Sequence, residues 1–321
     1  MENDYLKELK TASYRHDHDL LVSVVMIAYN VENYLTEAIE SVLVQKTNFK
    51  VELVIGEDCS TDNTRKIALD YQMLYPHLIR VLLPPKNQGL TPNCIATHNA
   101  CSGKYIALLD GDDYWTDDLK LQKQIDFLEK NPQYAGCAHQ SIKIYSNELK
   151  KDEPFGSNND EVYVLKDTIS HRKFHTSSLV YHKKIWDKVG GIPPNISSNE
   201  RAIYPMVALF GKIKYFQQAM CVYRLTGSGL TSRVNYKELE SDFNMLNWLK
   251  KINSEFPVCK FKSFLYLCNY TYGVKKIPLF TLTRYYMMFC FYSFSYFPNN
   301  FADLKWGSVF FVKRINQSHL D

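Results

Sequence analysis

The chain has 321 residues, 45% hydrophobic and 22% charged, which is the balance of a globular protein with one large domain or a domain and an appendage. Its net charge of +4 is too small to argue for nucleic acid, and we expect no nucleic-acid partner. The eight cysteines are scattered, without C-x-x-C or the Cys/His spacing of a zinc site, and are typical of reduced thiols in the cytoplasm. Residues 1–20 are polar and lack the apolar core of a signal peptide.

Strands and helices alternate along the first 130 residues. Runs of apolar and β-branched residues predict buried strands at 20–30, 51–56, 78–83 and 104–110. Apolar residues at helical spacing, or residues that begin helices, predict helices at 35–43, 60–75, 91–101 and 118–130. This alternation predicts an α/β fold with a mostly parallel sheet covered by helices.

Polar residues follow each of the four predicted strands. They occupy positions 28–32, 57–64, 86–89 and 110–113. In a parallel sheet the carboxyl ends of the strands meet at one edge, where ligands bind. Each segment taken alone is more simply an ordinary polar loop, but four at one edge predict a ligand site.

The stretch ALLDGDDYW (107–115) ends a predicted strand in three carboxylates, Asp110, Asp112 and Asp113. Like charges this close repel each other unless a cation lies between them. Hard oxygen ligands suit Mg²⁺ or Mn²⁺, and such an ion can bridge a diphosphate. The alternative of a helix cap explains Asp117 and Asp118 but not this trio. No Rossmann or Walker glycine pattern is present.

Five segments in order resemble the family 2 glycosyltransferases, which have the GT-A fold: VSVVMIAYNVENYLTEAIESVLVQ, VIGEDCSTDNT, NQGL, GKYIALLDGDDYW and DDLKLQKQIDFLE. The resemblance covers roughly residues 20–230, and the GDDYW variant resembles a branch common in bacterial surface-polysaccharide synthesis. It implies an inverting transfer from a nucleotide-diphosphate sugar, with a UDP-sugar favoured and Mn²⁺ or Mg²⁺ as cofactor. The acceptor would be a hydroxyl of a glycan or a lipid-linked glycan.

The resemblance also implies roles for individual residues. The nucleotide-sugar would be bound by Ala28, Tyr29, Asn30, Glu32, Asp58, Lys86, Asn87, Asp110, Gly111 and Arg224. Asp112 and Asp113 would face the metal ion, with either as the direct ligand. His175, Thr176 and Ser177 lie in a segment similar to the family's acceptor side, although a polar strand edge explains them as well.

Glu200 is the predicted catalytic base, because it stands eleven residues before Gly211-Lys212, the spacing that the family keeps. The usual residue in this branch is Asp, and a carboxylate at a helix start is also favoured by the helix dipole alone. Thr226 replaces the family's His in a segment whose glycines, Gly227 and Gly229, supply flexibility. These two replacements keep a second hypothesis open, a nucleotide-sugar-binding protein without turnover.

Residues 236–321 form a predicted helical tail that follows a transferase domain at 20–235. The tail is rich in aromatic residues with Lys and Arg interleaved, and its longest apolar stretch, 277–297, is interrupted by Arg284. That composition is poor for a membrane-spanning helix but suits a helix lying at an anionic membrane surface. The alternative is a tail packed on the transferase domain or on a second copy. We expect a cytoplasmic protein. If the tail lies at a membrane surface, the protein would be peripheral on the inner face of the cell membrane.

Overall fold

A computed structural model describes residues 20–146, 150–226, 236–271, 277–294 and 301–318. The chain forms two compact units. The first consists of the chain up to Leu165 together with Arg172–Ile192 and Met206–Leu225, and the second of Lys166–His171, Pro193–Pro205 and Thr226–Asp321. The second unit therefore includes two segments that precede the predicted boundary at residue 235, and that boundary stays a prediction.

The strands and helices of the described residues follow the predicted alternation closely. The strands are β1 (Leu20–Ala28), β2 (Lys50–Glu57), β3 (Ile79–Leu82), β4 (Tyr105–Asp110), β5 (Tyr114–Trp115), β6 (Tyr134–Tyr145), β7 (Glu153–Phe155), β8 (Glu161–Tyr163), β9 (Val180–His182) and β10 (Lys212–Leu225). The helices are α1 (Leu35–Leu43), α2 (Thr64–Leu74), α3 (Leu90–Asn99), α4 (Lys120–Lys130), α5 (Leu165–Thr168), α6 (Lys183–Val189), α7 (Asn199–Ala208), α8 (Tyr236–Glu240), α9 (Met245–Ile252), α10 (Val258–Thr271), α11 (Leu279–Phe294) and α12 (Phe301–Ser318). Short 3-10 turns occur at Thr176–Ser178 and Ser241–Asn244.

The sheet is mixed, with a parallel half that matches the prediction. Its strands lie in the order β3-β2-β1-β4-β9-β6-β10-β5, and the first four run parallel. Strand β9 is antiparallel to both of its neighbours, while β10 runs parallel to β6. The α/β fold with a mostly parallel sheet is therefore confirmed, and the ends of β1, β2 and β4 lie at one edge.

Residues of β1, β2 and β4 are buried nearly throughout, as expected for strands covered on both faces. Gly56 near the end of β2 shows how closely helix α3 packs on this sheet. A Cβ there would lie 2.1 Å from Thr97 Oγ1 and 2.6 Å from Asn93 Oδ1, so a larger residue would displace the helix. Asn93 instead donates to the Gly56 carbonyl oxygen at 2.7 Å, which fixes β2 against α3.

The second unit has its own apolar core, built by the helices of the tail. Helices α10, α11 and α12 enclose buried residues, among them Leu267, Tyr270, Leu282, Tyr285 and Phe289. The prediction of a helical tail is thus confirmed for its described residues. Within those residues, the helices are all too short or too polar to cross a lipid bilayer.

Candidate active site

The acidic turn, residues 110–113, follows strand β4 and lies against the end of β1. The Gly111 N–H donates to the carbonyl oxygen of Ile27 at 2.9 Å. A Cβ at Gly111 would lie 2.9 Å from the same oxygen and 3.3 Å from the Cβ of Ala28, so this approach requires glycine. The turn is closed by a 3.0 Å hydrogen bond from Asp113 N–H to the Asp110 carbonyl oxygen. Ala28 is fully buried here and its carbonyl oxygen accepts from the Asp58 N–H at 3.1 Å, so its contact with a nucleotide stays a prediction.

Asp113 is the buried carboxylate of the acidic turn, with 1% of its surface exposed. Its Oδ1 accepts from the Arg224 backbone N–H at 2.9 Å, and its Oδ2 accepts from the Ser177 hydroxyl at 2.7 Å. The same Oδ2 contacts Nε2 of His175. Ser177 Oγ also accepts from the Asp110 N–H at 3.1 Å. A buried carboxylate requires donors of this kind, so Asp113 joins the turn to strand β10 and to the 3-10 turn that holds Ser177.

His175 is enclosed by aromatic side chains on the sides that do not face Asp113. Its ring stacks on Tyr223 with centroids 4.0 Å apart, and Phe155 packs edge-on at 6.5 Å. The Arg172 guanidinium lies 4.8 Å from the Phe155 ring centroid and 5.0 Å from that of Tyr223. His175 is buried, so the structure places it against the acidic turn rather than at an open strand edge.

Asp110, Asp113 and His175 form a group that fits a metal ion. One oxygen or nitrogen from each lies within 4.8 Å of the others. The two carboxylates suit Mn²⁺ or Mg²⁺, whereas the imidazole is a ligand more typical of other first-row metals. The sequence paired Asp113 with Asp112 instead, and the structure leaves Asp112 outside this group. Both sets contain Asp113, so the acidic turn fits the divalent ion that the family pattern implies.

Asp112, like Asp110, is a partly exposed carboxylate of the acidic turn, whereas Asp113 is buried. Among the described residues, its carboxylate is hydrogen-bonded only to its own backbone N–H. Burial, together with the charge of Asp113, raises the pKa of Asp112 to about 7. A cation beside it would favour the charged form and lower that pKa again.

Arg224, near the end of β10, extends across the acidic turn. Its Nη1 donates to the Asp112 carbonyl oxygen at 3.0 Å, and its guanidinium lies 4.5 Å from the Tyr114 ring centroid. Its Nη2 contacts Glu37 of helix α1, whose side chain is 53% exposed. The Arg224 side chain itself is 11% exposed, so Glu37 is the solvent-facing partner of this pair.

The loops after β1 and β2 are tied to each other by two of the predicted nucleotide-binding residues. Asn30 Oδ1 accepts from the Thr61 N–H at 2.9 Å. Glu32 Oε2 accepts from the Asn63 backbone N–H at 2.9 Å and from its side-chain amide at 2.7 Å. Asn30 has a φ of 53°, which Asn tolerates better than most residues. The Tyr29 side chain between these contacts is exposed, and its contact with a nucleobase stays a prediction.

Asp58 at the end of β2 fixes the loop that follows β3. Its carboxylate accepts from the backbone N–H groups of Gln88 at 2.7 Å and Gly89 at 2.9 Å, and its carbonyl oxygen accepts from Asn87 at 3.0 Å. Asp58 is 3% exposed, whereas Lys86 and Asn87 are exposed. The structure thus gives Asp58 a role in positioning this loop, and its contact with a nucleobase stays a prediction.

Glu200 belongs to the second unit. It lies in the first turn of helix α7, so the predicted helix start is confirmed. The segment that leads into this helix is fixed by Asp242 of the tail, which accepts from the backbone N–H groups of Ser197 at 2.8 Å and Ser198 at 3.1 Å. The side chain of Glu200 is partly exposed, and its role as the base stays a prediction.

Several contacts of this site were missed by sequence reasoning. The positioning role of Ser177 and the pairing of Arg224 with Glu37 join residues far apart in the chain. The local signal for Ser177 was the polar HTSS run directly before an apolar strand, and Glu37 gave none. The glycines Gly227 and Gly229, expected in a mobile segment, lie outside the described residues.

Comparison with known sequences gives the same family as the motifs. The model of glycosyl transferase family 2 matches residues 23–193. An uncharacterised protein of Mycobacterium tuberculosis is 35% identical over 212 residues, which are 65% of this chain and 60% of the relative. The minor teichoic acid biosynthesis protein GgaA of Bacillus subtilis is 34% identical over 110 residues, 33% of this chain and 24% of that protein. This chain therefore spans less than two thirds of the length of these relatives.

Two solved structures share the fold. Residues 1–349 of Staphylococcus aureus TarS, in complex with UDP-GlcNAc, superpose with a TM-score of 0.62 at 16% identity, over 84% of this chain and 81% of that one. The mannosyltransferase PcManGT of Pyrobaculum calidifontis, in complex with GDP-Man and Mn²⁺, gives 0.55 at 14% identity, over 95% and 86%. At such low identities the similarity concerns the fold alone.

Proposed function

The chain belongs to glycosyltransferase family 2, and from this premise we propose that it is an inverting transferase that uses a nucleotide-diphosphate sugar in surface-polysaccharide synthesis. The observation that carries the proposal is the acidic turn at the end of β4, held by Asp113 against Ser177 and Arg224. A ligand placed there meets carboxylates, a guanidinium and the loops after β1 and β2 together. These are the groups that a nucleoside diphosphate and its counter-ion require.

The donor half of the proposed site is assembled from the loops of the first unit. Tyr29 would stack on the nucleobase, while Asp58 holds the neighbouring loop with Lys86 and Asn87 beside the nucleotide. Asp110 would meet the ribose. Arg224 would leave Glu37 and donate to the diphosphate. The UDP-GlcNAc and GDP-Man bound to the structural neighbours support a nucleotide sugar as the donor class. The preference for UDP rests on the resemblance to the family.

Mn²⁺ or Mg²⁺ would be held at the acidic turn by Asp113, either together with Asp112 or together with Asp110 and His175. When bound, the ion neutralises charge that develops on the leaving nucleoside diphosphate. Asp113 is already held by three donors, so its first task is to fix the turn. Asp112 is free of side-chain partners among the described residues, which favours it as the direct ligand.

Glu200 would take the proton of the acceptor hydroxyl as that oxygen attacks the anomeric carbon. The sugar–oxygen bond to the acceptor forms while the bond to the diphosphate breaks, so the configuration inverts. Support comes from the position of Glu200 in the first turn of helix α7 and from the fixed segment before it. The acceptor is proposed to be a glycan, and the biosynthetic role named for GgaA supports a cell-surface polymer.

The experiment that tests this function has two stages. The purified chain is first screened for thermal stabilisation by UDP- and GDP-sugars with and without Mn²⁺, because a ligand that binds the folded state raises its apparent stability. Donor hydrolysis and transfer are then measured with the sugar that binds. Metal-dependent binding with turnover supports the transferase, whereas binding without either reaction supports the alternative of a nucleotide-sugar-binding protein. No stabilisation by any nucleotide sugar would exclude both.

A cytoplasmic location, with peripheral attachment to the inner face of the cell membrane, completes the proposal. It is supported by the aromatic and basic composition of residues 258–321. A lipid-linked glycan would then be available to the enzyme without diffusing through the cytoplasm. Cell fractionation tests this location directly, since a peripheral protein leaves the membrane fraction on washing with high salt or carbonate.

A further inference from the structure

Helix α11 presents a stripe of apolar side chains on its exposed side, interrupted by the exposed Arg284. Phe280, Met287, Phe291 and Phe294 are 82%, 64%, 67% and 68% exposed. Their spacings of seven, four and three residues place them on one face of the helix, over about 21 Å. The opposite face carries buried residues such as Tyr285 of the core of the second unit. The stripe is therefore separate from the side chains that hold the helix in the fold.

Helix α12 has an exposed face of the same kind. Trp306, Val309 and Val312 are 37%, 49% and 55% exposed. Lys305 and Lys313 are exposed on the same side of the helix. We call these three apolar residues, together with the four of α11, the tail surface. Each of the two helices thus exposes a row of large apolar side chains, whereas apolar residues on a protein surface are ordinarily scattered singly.

The charge around the tail surface indicates what that partner is. Residues 258–321 contain the basic Lys260, Lys262, Lys275, Lys276, Arg284, Lys305, Lys313 and Arg314, against the acidic Asp303 and Asp321. Arg284 is exposed and pairs with Glu240, while Lys305 and Lys313 flank the apolar residues of α12. An apolar stripe with lysines beside it matches the headgroup region of an anionic bilayer, where rings are buried and ammonium groups meet phosphate.

We propose that the tail surface docks on an anionic membrane, with α11 and α12 lying in the headgroup region. The inference rests on the peripheral location proposed above and not on the transfer reaction. A second copy of the chain is the other occupant that such faces could take. Symmetric pairing of this surface would bring the lysines of each copy close to those of the other, which opposes association, whereas an anionic bilayer is attracted by the same lysines.

The test uses the full chain and vesicle flotation. Vesicles contain either phosphatidylcholine alone or phosphatidylcholine with phosphatidylglycerol, at low and high salt. We expect flotation only with the anionic vesicles and partial release by high salt, because salt screens the charges but not the apolar contact. Failure of the wild-type chain to float with anionic vesicles at low salt would overturn the proposal.

Paired variants assign the binding to the tail surface. Met287→Ser with Phe291→Ser should lower the partition coefficient by about tenfold or more, since two large apolar groups are lost. Met73→Ser with Leu74→Ser is the matched control, because these residues are 76% and 52% exposed on helix α2 of the first unit. If both double variants lose binding to the vesicles equally, or if neither loses it, the assignment to the tail surface is refuted.

Two further measurements separate the remaining outcomes. The double variant Lys305→Gln and Lys313→Gln should bind anionic vesicles on the order of tenfold more weakly at low salt, whereas the control Lys66→Gln and Lys130→Gln should bind them as the wild type does.

Sedimentation of the wild type and of the Met287/Phe291 variant reports the oligomeric state. If the wild type is a dimer that binds no lipid, and the variant is a monomer, then the occupant of the tail surface is a second copy of the chain and not a membrane. Nucleotide binding should be equal in all variants, so failure of the proposed function and failure of this inference are read from different assays.

Discussion

Arg201 and Asp242 form a buried ion pair in the second unit, with 2.6 Å between Arg201 Nη1 and Asp242 Oδ2. The Asp242 side chain is fully buried, and that of Arg201 is 13% exposed. Since Asp242 also accepts from Ser197 and Ser198, a residue of the tail holds both ends of the turn that leads into helix α7. Glu200 lies between these fixed points, so the tail orders the segment that carries the proposed base.

The first prediction concerns this pair. Asp242→Asn leaves the Arg201 guanidinium buried without its counter-charge, and we expect the free energy of unfolding to fall by ~3 kcal/mol. Urea denaturation measures this loss. Asp160→Asn is the control, because Asp160 forms a half-exposed pair with Lys214 and its loss should cost less than ~1 kcal/mol. Equal effects of the two substitutions would remove the special role of Asp242.

The second prediction concerns the metal ion. Asp112→Asn keeps the shape of the side chain but removes its charge, so the chain should fold while Mn²⁺-dependent binding of UDP weakens by about tenfold or more. Calorimetric titration with and without Mn²⁺ measures the effect. Asp117→Asn, in the next turn of the chain, is the control, because Asp117 is already bound to Lys123. Tight metal-dependent binding by the Asp112 variant would exclude Asp112 as a ligand.

His175→Gln distinguishes the two ligand sets of that prediction. If Asp110, Asp113 and His175 hold the ion, this variant loses Mn²⁺ affinity as strongly as Asp112→Asn or more so. If Asp112 and Asp113 hold it, His175→Gln retains the metal dependence, because glutamine can still donate to Asp113. Manganese binding followed by electron paramagnetic resonance separates the two outcomes without an activity assay.

The third prediction concerns the base. Glu200→Gln should lower the turnover number on the order of 10²-fold or more, which is the scale of general-base catalysis, while donor affinity stays near that of the wild type. Glu255→Gln provides a control from elsewhere in the second unit. Unchanged turnover in the Glu200 variant would show that another group takes the acceptor's proton.

The fourth prediction concerns pH. Burial lowers the pKa of His98 to about 4 from its ordinary 6.5, and its ring stacks on Trp186 with centroids 4.1 Å apart. The unfolded chain therefore takes up this proton first as the pH falls. Stability should decrease between pH 6.5 and 4 by up to ~1.4 kcal/mol per unit from this residue. When the free energy of unfolding is measured by urea denaturation at each pH, it should fall less steeply with decreasing pH in the His98→Gln variant than in the wild type. An equal pH dependence in the two proteins would contradict the prediction.

The sequence predicted the parallel half of the sheet because that information is local. Apolar runs placed β1, β2, β3 and β4 within about three residues of their observed ends, since a strand buried on both faces needs an unbroken run. The run 20–30 ends early, at Ala28, because Tyr29 is exposed and Asn30 turns the chain with a positive φ. The three carboxylates were recognised for the same reason, as a local pattern after a strand.

The rest of the site could not be predicted from local sequence patterns, because its contacts join residues that are far apart in the chain. Ser177 and His175 reach Asp113 across more than sixty residues, and Asp242 reaches Ser197 across more than forty. Such contacts depend on how strands β9 and β10 join the sheet and on how the tail packs, which periodicity does not encode. This is why His175 was expected beside the acceptor and is found buried against the acidic turn.

The last prediction concerns Arg224, which contacts Glu37 while stacking on Tyr114. If its guanidinium exchanges Glu37 for the donor diphosphate, Arg224→Gln should weaken UDP binding by about tenfold, the scale of a lost charge-assisted contact. Glu37→Gln should do the opposite or nothing, because it frees the guanidinium without removing it. Both affinities are measured by titration at low and high salt, and the advantage of the wild type over Arg224→Gln should shrink as salt screens the exposed charges. Equal weakening by the two substitutions would mean that the Arg224–Glu37 pair supports the fold of the site, and that the diphosphate is bound by other groups.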